Sequence, residues 1–356
     1  MPAKTRKDGP IESPLLPKES GVNAAVQSAA LNELDVTGTV QVTNPAVVKE
    51  EVVSIFNLLY PDFNAGGLRH AFDFFTELYR GAHPDYHPCD TIYHDMQHSL
   101  DVTLTATRIL GGYQKIHGNL TPQKLLLGIV TALFHDIGYL RKRGDDTHSN
   151  GAEYTSTHVS RGAEFMRRHF PGLGFEKFST TASEIVHLTG YEKNPDQVYT
   201  ATREDRLIGN MVASADLLAQ MADRCYLEKC RDRLFPELVL GTAGQKNKSG
   251  PTPNYQSAEE LLRQTPDFYR LYVTKRLNQY FEQVYRYANA FFDGKDFYMK
   301  NIEKNILHLE TLLEKDKLDI LRRIPPDNYG LRVFPFDQIQ ELSDNPPIEE
   351  VPVRKN

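Results

Sequence analysis

Apolar residues recur at helical spacing over most of the chain, from about residue 50 to residue 320. Two early groups of apolar side chains lie three or four positions apart, as expected for the buried faces of amphipathic helices: Val52, Ile55, Phe56 and Leu59, then Leu68, Phe72, Phe75 and Leu78. A third helix is predicted around 100–109, and later ones near 156–169, 178–189, 207–233, 267–292 and 297–322. The alternation typical of strands is nearly absent, so the sequence predicts an all-α bundle.

The run LLLGIVTALFHDIGYL, residues 125–140, is apolar on nearly all sides. An amphipathic surface helix would carry polar residues on one face, whereas a helix that is apolar all round is buried. We therefore predict that this segment is the central helix of the bundle.

Both ends of the chain and one internal stretch differ in pattern from this helical region. Residues 1–48 are predicted to form a flexible N-terminal arm with one short β-like run at 36–42, and residues 323–356 a proline-rich, extended C-terminal tail. The single domain is expected over 49–322. Within it, residues 234–258 are rich in Gly, Pro, Lys and Asn and predict an inserted loop.

Composition and charge narrow the classes of function. The net charge of −6 comes from 41 basic and 47 acidic residues that are mixed along the chain, with no basic stripe for nucleic acid. A small anionic substrate remains compatible with this balance. No signal-peptide or membrane-spanning stretch and no disulfide pattern is evident, so we expect a cytoplasmic protein that binds neither membrane nor nucleic acid.

The histidines are the first chemical signal, because four of the twelve fall within residues 83–98. His94 and His98 lie four positions apart at a predicted helix start, and Asp101 follows three positions later, so all three can share one face. Such a face is typical either of a metal site or of a hydrogen-bonded polar cluster at a helix end.

A second signal is the His135-Asp136 pair at the end of the predicted central helix. A buried charged aspartate costs several kcal/mol unless it is paired or coordinates a metal ion. A neutral histidine hydrogen-bonded to its neighbour is the alternative. We favour a metal ion, because its positive charge accounts for both residues at once.

Asp216 poses the same problem within the apolar stretch NMVASADLLAQM. It could pair with an arginine such as Arg206, or it could complete a ligand set with His98 and the His135-Asp136 pair. Two imidazoles and two carboxylates suit Zn, Fe, Mn or Mg and leave positions open for water.

Two further histidines lie between the His-Asp pair and Asp216. His158 and His187 each fall in a predicted helix, where a histidine is often an ordinary core or surface residue. Their order along the chain is also compatible with a second metal ion, bridged to the first by Asp136.

The order His98, His135-Asp136, Asp216 resembles the H…HD…D signature of the HD superfamily of metal-dependent phosphohydrolases. Within that superfamily, YHDMQHSLDV is similar to a motif of class I cyclic nucleotide phosphodiesterases, and MVASADL is similar to the segment that holds their last metal-binding aspartate. The resemblance covers roughly residues 50–320. It departs at Tyr139, which stands where that family has a second histidine, and the purine-clamping glutamine element is missing.

The resemblance implies an all-α HD-domain fold with two divalent metal ions. His98, His135, Asp136 and Asp216 would bind the first ion, with Asp136 reaching the second. His94 would match the proton donor to the leaving oxygen, and Tyr93 would line the phosphate site. Asp101 is expected to orient a ligand imidazole from behind.

The expected reaction is hydrolysis of a phosphate ester by a hydroxide that bridges the metals, with His94 as general acid. A 3′,5′-cyclic nucleotide is the first choice of substrate. The alternatives are an HD-type nucleotidase, a cyclic-dinucleotide phosphodiesterase, or a nucleotide sensor without turnover. A homodimer is compatible with the pattern, but no interface can be read from it.

Overall fold

The computed structural model describes residues 30–243 and 255–327, which form an all-α bundle as predicted. No β-strand occurs in these residues, only two isolated bridges, Leu34 to Gln41 and Tyr86 to Lys142. In chain order the helices are α1 (Pro45–Leu59), α2 (Gly66–Tyr79), α3 (Met96–His117), α4 (Pro122–Leu133), α5 (His158–His169), α6 (Ser179–Ile185), α7 (Arg203–Ala222), α8 (Tyr226–Lys229), α9 (Phe235–Ala243), α10 (Ala258–Phe268), α11 (Tyr287–Phe291) and α12 (Tyr298–Glu314).

Helix α3 lies at the centre of the bundle and packs against α1, α4, α7 and α11. Most of its residues from Met96 to Gly112 are buried. Its contact with α11 requires a glycine, because a Cβ on Gly112 would lie 1.8 Å from the carbonyl oxygen of Tyr287. No helix among the described residues is long and apolar enough to cross a membrane.

Helix α4 is shorter than the central helix predicted over 125–140. It begins at Pro122 after the cap Thr121, whose side chain accepts a hydrogen bond from the Lys124 amide. It ends at Leu133, so His135 and Asp136 lie in the turn that follows. The apolar pattern could not show this end, because a buried turn and a buried helix share the same composition.

The chain already packs against the bundle near residue 35, within the flexible arm predicted over 1–48. Val40 and Val42 are buried, and Asp35 forms a buried ion pair with Arg108 of α3, at 2.7 Å. Asp35 also accepts hydrogen bonds from the amides of Thr39 and Val40. Residues 1–29 of the predicted arm lie outside the described residues.

Two C-terminal segments depart from the predicted pattern. Residues 235–243, within the predicted loop 234–258, form α9, and residues 244–254 lie outside the described residues. The helix predicted over 267–292 is broken by two π-helical turns and by positive φ angles at Glu282 and Gln283. Neither residue is a usual helix breaker, so packing on the bundle overrides local preference there.

The first residues of the predicted tail lie on the helical body. The guanidinium of Arg233 donates to the carbonyl oxygen of Pro326, and Arg231 donates to that of Leu321 at 2.8 Å. Asn32 donates to the carbonyl oxygen of Ile324 at 3.0 Å, so residues 30–32 and 321–326 meet. Residues 328–356 lie outside the described residues.

The Asp35–Arg108 pair generates a stability prediction. Asp35→Ala leaves the Arg108 guanidinium, only 2% exposed, without its counter-charge. Loss of one partner of a buried ion pair costs about 3–5 kcal/mol. We expect a loss of about 3 kcal/mol in the free energy of unfolding, measured by chemical denaturation.

Lys49 and Asp73 provide the matched surface pair, with the same 2.7 Å separation but with 58% of the aspartate side chain exposed. Asp73→Ala should cost below about 1 kcal/mol. Equal losses in the two variants would show that the Asp35–Arg108 pair does not anchor the N-terminal segment.

Candidate metal centre

Four side chains from three parts of the bundle converge at its centre. His98 comes from the first turn of α3, His135 and Asp136 from the turn after α4, and Asp216 from α7. The His98 Nε2 atom lies 3.3 Å from Asp136 Oδ2 and 3.2 Å from Asp216 Oδ1. The His135 Nε2 atom lies 3.1 Å from Asp136 Oδ2 and 3.8 Å from Asp216 Oδ1. The sequence-predicted set is therefore brought together.

The tautomer of His135 indicates that this cluster lacks a cation between two acceptor atoms. Its Nδ1 lies 2.8 Å from the carbonyl oxygen of Ala132, which can only accept, so Nδ1 carries the hydrogen. In the neutral ring Nε2 then presents a lone pair to the Asp136 carboxylate. His135 Nε2 and Asp136 Oδ2 are both buried without a hydrogen-bond partner. Two acceptors that face each other inside a protein call for a cation between them.

The pKa shifts of His98 and Asp136 also indicate a site for positive charge. Burial alone lowers the pKa of His98, but the adjacent carboxylates of Asp136 and Asp216 raise it to about 10. Burial alone raises the pKa of Asp136, but the adjacent His135 and His98 hold it well below its usual range. The site is therefore arranged to hold positive charge, either as protons or as a metal ion.

His98, His135 and Asp136 could hold a metal ion, because one ligand atom of each lies within 4.8 Å of the others. Asp216 extends this set through its oxygen beside His98. Nitrogen and oxygen donors of this kind suit Zn, Fe, Mn or Mg.

Asp136 presents its second oxygen to His158. The His158 Nε2 atom lies 3.7 Å from Asp136 Oδ1, while its Nδ1 lies 2.8 Å from the carbonyl oxygen of Thr155. Burial lowers the pKa of His158, which favours a neutral ring with its Nε2 lone pair toward the carboxylate. This is the arrangement that a carboxylate bridging two cations would use.

His187 is buried in the 3₁₀ turn that follows α6, and its Nδ1 has no hydrogen-bond partner. Within the described residues, no ion pair or ring contact joins it to the cluster. A second metal ion bound by His158 and His187 stays a prediction.

His94 lies just before α3 and is held by a residue that the sequence did not single out. Its Nδ1 contacts the Oε1 of Glu237, from α9, whose side chain is 2% exposed. The other oxygen of Glu237 accepts from the amides of Tyr93 and His94, at 2.6 and 3.2 Å. Burial alone lowers the pKa of His94, but the charge of Glu237 raises it above its ordinary value.

Aromatic rings form one wall beside the cluster. The Tyr139 ring stacks on both His94 and His158, with ring centroids 4.7 and 4.3 Å away, while the two imidazole centroids lie 6.2 Å from each other. The Tyr93 ring lies 5.1 Å from that of His94, and its hydroxyl donates to Gln220 at 3.3 Å. The predicted phosphate-lining residue is thus beside His94.

Asp101 lines the same small pocket as Tyr93 and His98. Burial, together with the charges of Asp223 and Asp35, raises the pKa of its carboxyl to about 7. No hydrogen bond from His98 to Asp101 is present, so its predicted role in orienting a ligand imidazole stays a prediction.

Comparison with known proteins places the chain in a family. The profile of the Npun_R2479-like family matches residues 80–156 and 144–312, more than half of the chain. The chain belongs to the Npun_R2479-like family. All the candidate ligands of this Npun_R2479-like protein lie within the matched residues, and the family name states no activity. No curated protein matches the chain.

The geometry predicts that the purified protein carries a divalent metal ion. Asp136→Ala removes the carboxylate that faces His98, His135 and His158, so we expect near-complete loss of bound metal. Metal content per chain is measured by elemental analysis after dialysis.

His117→Ala provides the histidine control, because His117 is exposed in the last turn of α3, at the opposite end of that helix from His98, and contacts the Tyr287 hydroxyl. Its metal content should equal that of the wild type. Equal metal content in Asp136→Ala would contradict the assignment of the centre.

A pH dependence follows from the raised pKa of His98. Without a cation the cluster holds a proton below pH 10 or so, and a metal ion must displace it. Apparent affinity for Zn²⁺ should therefore rise with pH between 6 and 9, by about tenfold per unit if one proton is released. Competition titration against a chelator of known affinity measures this, and a flat profile would contradict it.

Proposed function

We propose that this protein is a metal-dependent phosphoester hydrolase, with a 3′,5′-cyclic nucleotide as its first-choice substrate. The proposal is carried by the His94–Glu237 pair, which lies against the metal-binding cluster. The His94 ring centroid lies 5.6 Å from that of His98 and 6.2 Å from that of His158. A structural metal site alone would not need a polarised imidazole beside it.

His98, His135, Asp136 and Asp216 would hold the cation, with His158 on the far oxygen of Asp136. A divalent ion there would lower the pKa of a water molecule and offset negative charge on the phosphoryl oxygens. The rest of the chemistry belongs to the protein's own side chains.

His94 would act as the general acid. Its Nδ1 is engaged by Glu237, which leaves Nε2 as the atom that carries the transferable proton. When the oxygen of water bonds to phosphorus and the ester P–O bond breaks, that proton would pass to the leaving oxygen. Glu237 would stabilise the imidazolium form beforehand and fix the ring orientation.

The choice of substrate rests on the segment around Tyr93 and His98, where the resemblance to cyclic nucleotide phosphodiesterases is most detailed. Tyr139 stands where that family has a histidine and stacks on both His94 and His158. Recognition of the base is therefore expected to differ from that family, and the panel of substrates must be broad.

The proposal is tested by product release from cyclic mononucleotides, cyclic dinucleotides and nucleoside phosphates. We expect turnover of a cyclic mononucleotide that Asp136→Ala abolishes and His94→Ala reduces about 10²–10⁴-fold, while His94→Ala still binds metal. Nucleotide binding without turnover of any substrate would contradict the hydrolase and favour a sensor.

Glu237→Gln separates a role through His94 from a purely structural one. Because the Glu237 charge raises the pKa of His94, its removal lowers that pKa. A general acid must be protonated, so the loss of kcat/KM at high pH should begin at lower pH in Glu237→Gln. Glu259→Gln, on the surface of α10, is the control and should keep the wild-type profile. A uniform loss of activity at every pH would contradict this role.

A further inference from the structure

A cavity separate from the metal centre lies between the face of α5 and the turn that follows α4. Its volume is about 330 Å³, which falls in the range of small-molecule sites. None of the proposed metal ligands lines it. The cavity is nevertheless adjacent to the metal centre along the sequence, because its wall includes Ile137, Gly138 and Leu140, which closely follow Asp136.

Three cations line this cavity: Lys142, Arg161 and Arg168. Within the described residues, none of them has a carboxylate at ion-pair distance. The one acidic residue of the lining, Glu164, has its own partner in Arg167, at 3.9 Å. The lining of the cavity therefore carries more positive than negative charge, and its three cations form no ion pair within the described residues.

Arg161 is held in place by neutral groups. Its guanidinium donates to the carbonyl oxygens of Gly138 and Leu140, at 2.7 and 2.9 Å, and lies 3.4 Å over the ring of Tyr154. Burial lowers the pKa of Arg161, and the charge of Asp145 acts against that shift. Within the described residues no carboxylate lies at ion-pair distance from the Arg161 guanidinium, so an anion in the cavity would supply a close counter-ion.

The cavity cations lie near Tyr86 and His169. Burial raises the pKa of the Tyr86 hydroxyl, while the charges of Arg168 and Arg161 act to lower it and that of Asp85 acts to raise it. Burial lowers the pKa of His169, the charges of Arg168 and Lys142 act in the same direction, and that of Asp85 acts against them. Tyr86 and His169 are themselves neighbours, with 3.4 Å between the hydroxyl oxygen and Nε2. Three cations and the carboxylate of Asp85 therefore act on this end of the cavity, where positive charge is in excess.

The remaining walls are apolar and aromatic. Ile137, Leu140, Phe165 and Tyr86 are all buried side chains, and the rings of Tyr86 and Phe165 meet edge to face at 5.9 Å. A bare inorganic ion would make no apolar contact with these side chains. An anion that carries a flat ring would pack on the parts of them that face the cavity and place its charge among the cations.

We propose that this cavity binds a phosphate-bearing small molecule with a planar ring, of the nucleoside monophosphate class. The phosphate lies among Lys142, Arg161 and Arg168, and the ring lies on the apolar wall. The inference does not depend on the proposed hydrolase activity, because the cavity shares no residue with the proposed catalytic set.

The probe is AMP, with binding to the full metal-loaded chain measured by calorimetry. Lys142→Gln combined with Arg168→Gln removes two cations from the cavity and leaves the carbonyl-bound Arg161 in place. We expect one AMP site per chain to weaken about tenfold or more, because hydrogen bonds to charged groups are among the strong ones. Adenosine, which lacks the phosphate, should bind at least about tenfold more weakly than AMP to the wild type.

The matched control is Arg143→Gln combined with Lys177→Gln. Both residues are exposed, are absent from the cavity lining and form no ion pair with Glu164. The control carries the same change of net charge and should bind AMP as the wild type does. If AMP binding weakens equally in both double variants, the change in net charge causes the effect and the proposal is wrong.

The Asp136→Ala variant distinguishes AMP binding in the cavity from AMP binding at the metal centre. Cavity binding should survive in this variant even if the proposed hydrolase activity does not exist. If AMP binding is lost in Asp136→Ala but unchanged in Lys142→Gln/Arg168→Gln, the nucleotide binds only at the metal centre and the proposal is wrong.

Discussion

The buried carboxylate of Asp136 is the constraint on which the rest of the site depends. Imidazole nitrogens approach both of its oxygens, from His98 and His135 on one side and from His158 on the other. A carboxylate in this position is costly without nearby positive charge. The helices α3, α5 and α7 and the turn after α4 contribute polar side chains to this one point in the core, where a cation would neutralise the carboxylates.

The fold holds this arrangement through close backbone packing and a few long-range polar contacts. A Cβ on Gly138 would lie 1.8 Å from the carbonyl oxygen of His158, so the turn after α4 is pressed against the start of α5. On the other side, Glu237 reaches His94, and Arg233 lies 3.5 Å from Asp95, the residue that caps α3. Arg233 and Glu237 are four residues apart, and Arg233 also binds the carbonyl of Pro326. These contacts connect the C-terminal segment to the N-terminal end of α3.

The fold class and the candidate cluster could be predicted from the sequence, because both follow from the spacing of residue types along the chain. Helical periodicity gave the all-α class, and the cost of burying His135-Asp136 and Asp216 in apolar stretches indicated the cluster. Glu237 was missed because its segment resembled a loop, although a lone glutamate within FPELVL is a signal of burial. The end of α4 and the interruption of the helix predicted over 267–292 depend on packing between distant segments. No local pattern encodes those contacts.

The central claim is that the cluster at the end of α4 is a metal centre. The most direct measurement is anomalous X-ray diffraction from crystals grown with Zn²⁺ or Mn²⁺, recorded above and below the absorption edge of the metal. The account predicts an anomalous peak between His98, His135, Asp136 and Asp216. Anomalous peaks confined to surface residues, with the four side chains closed on one another, would contradict it.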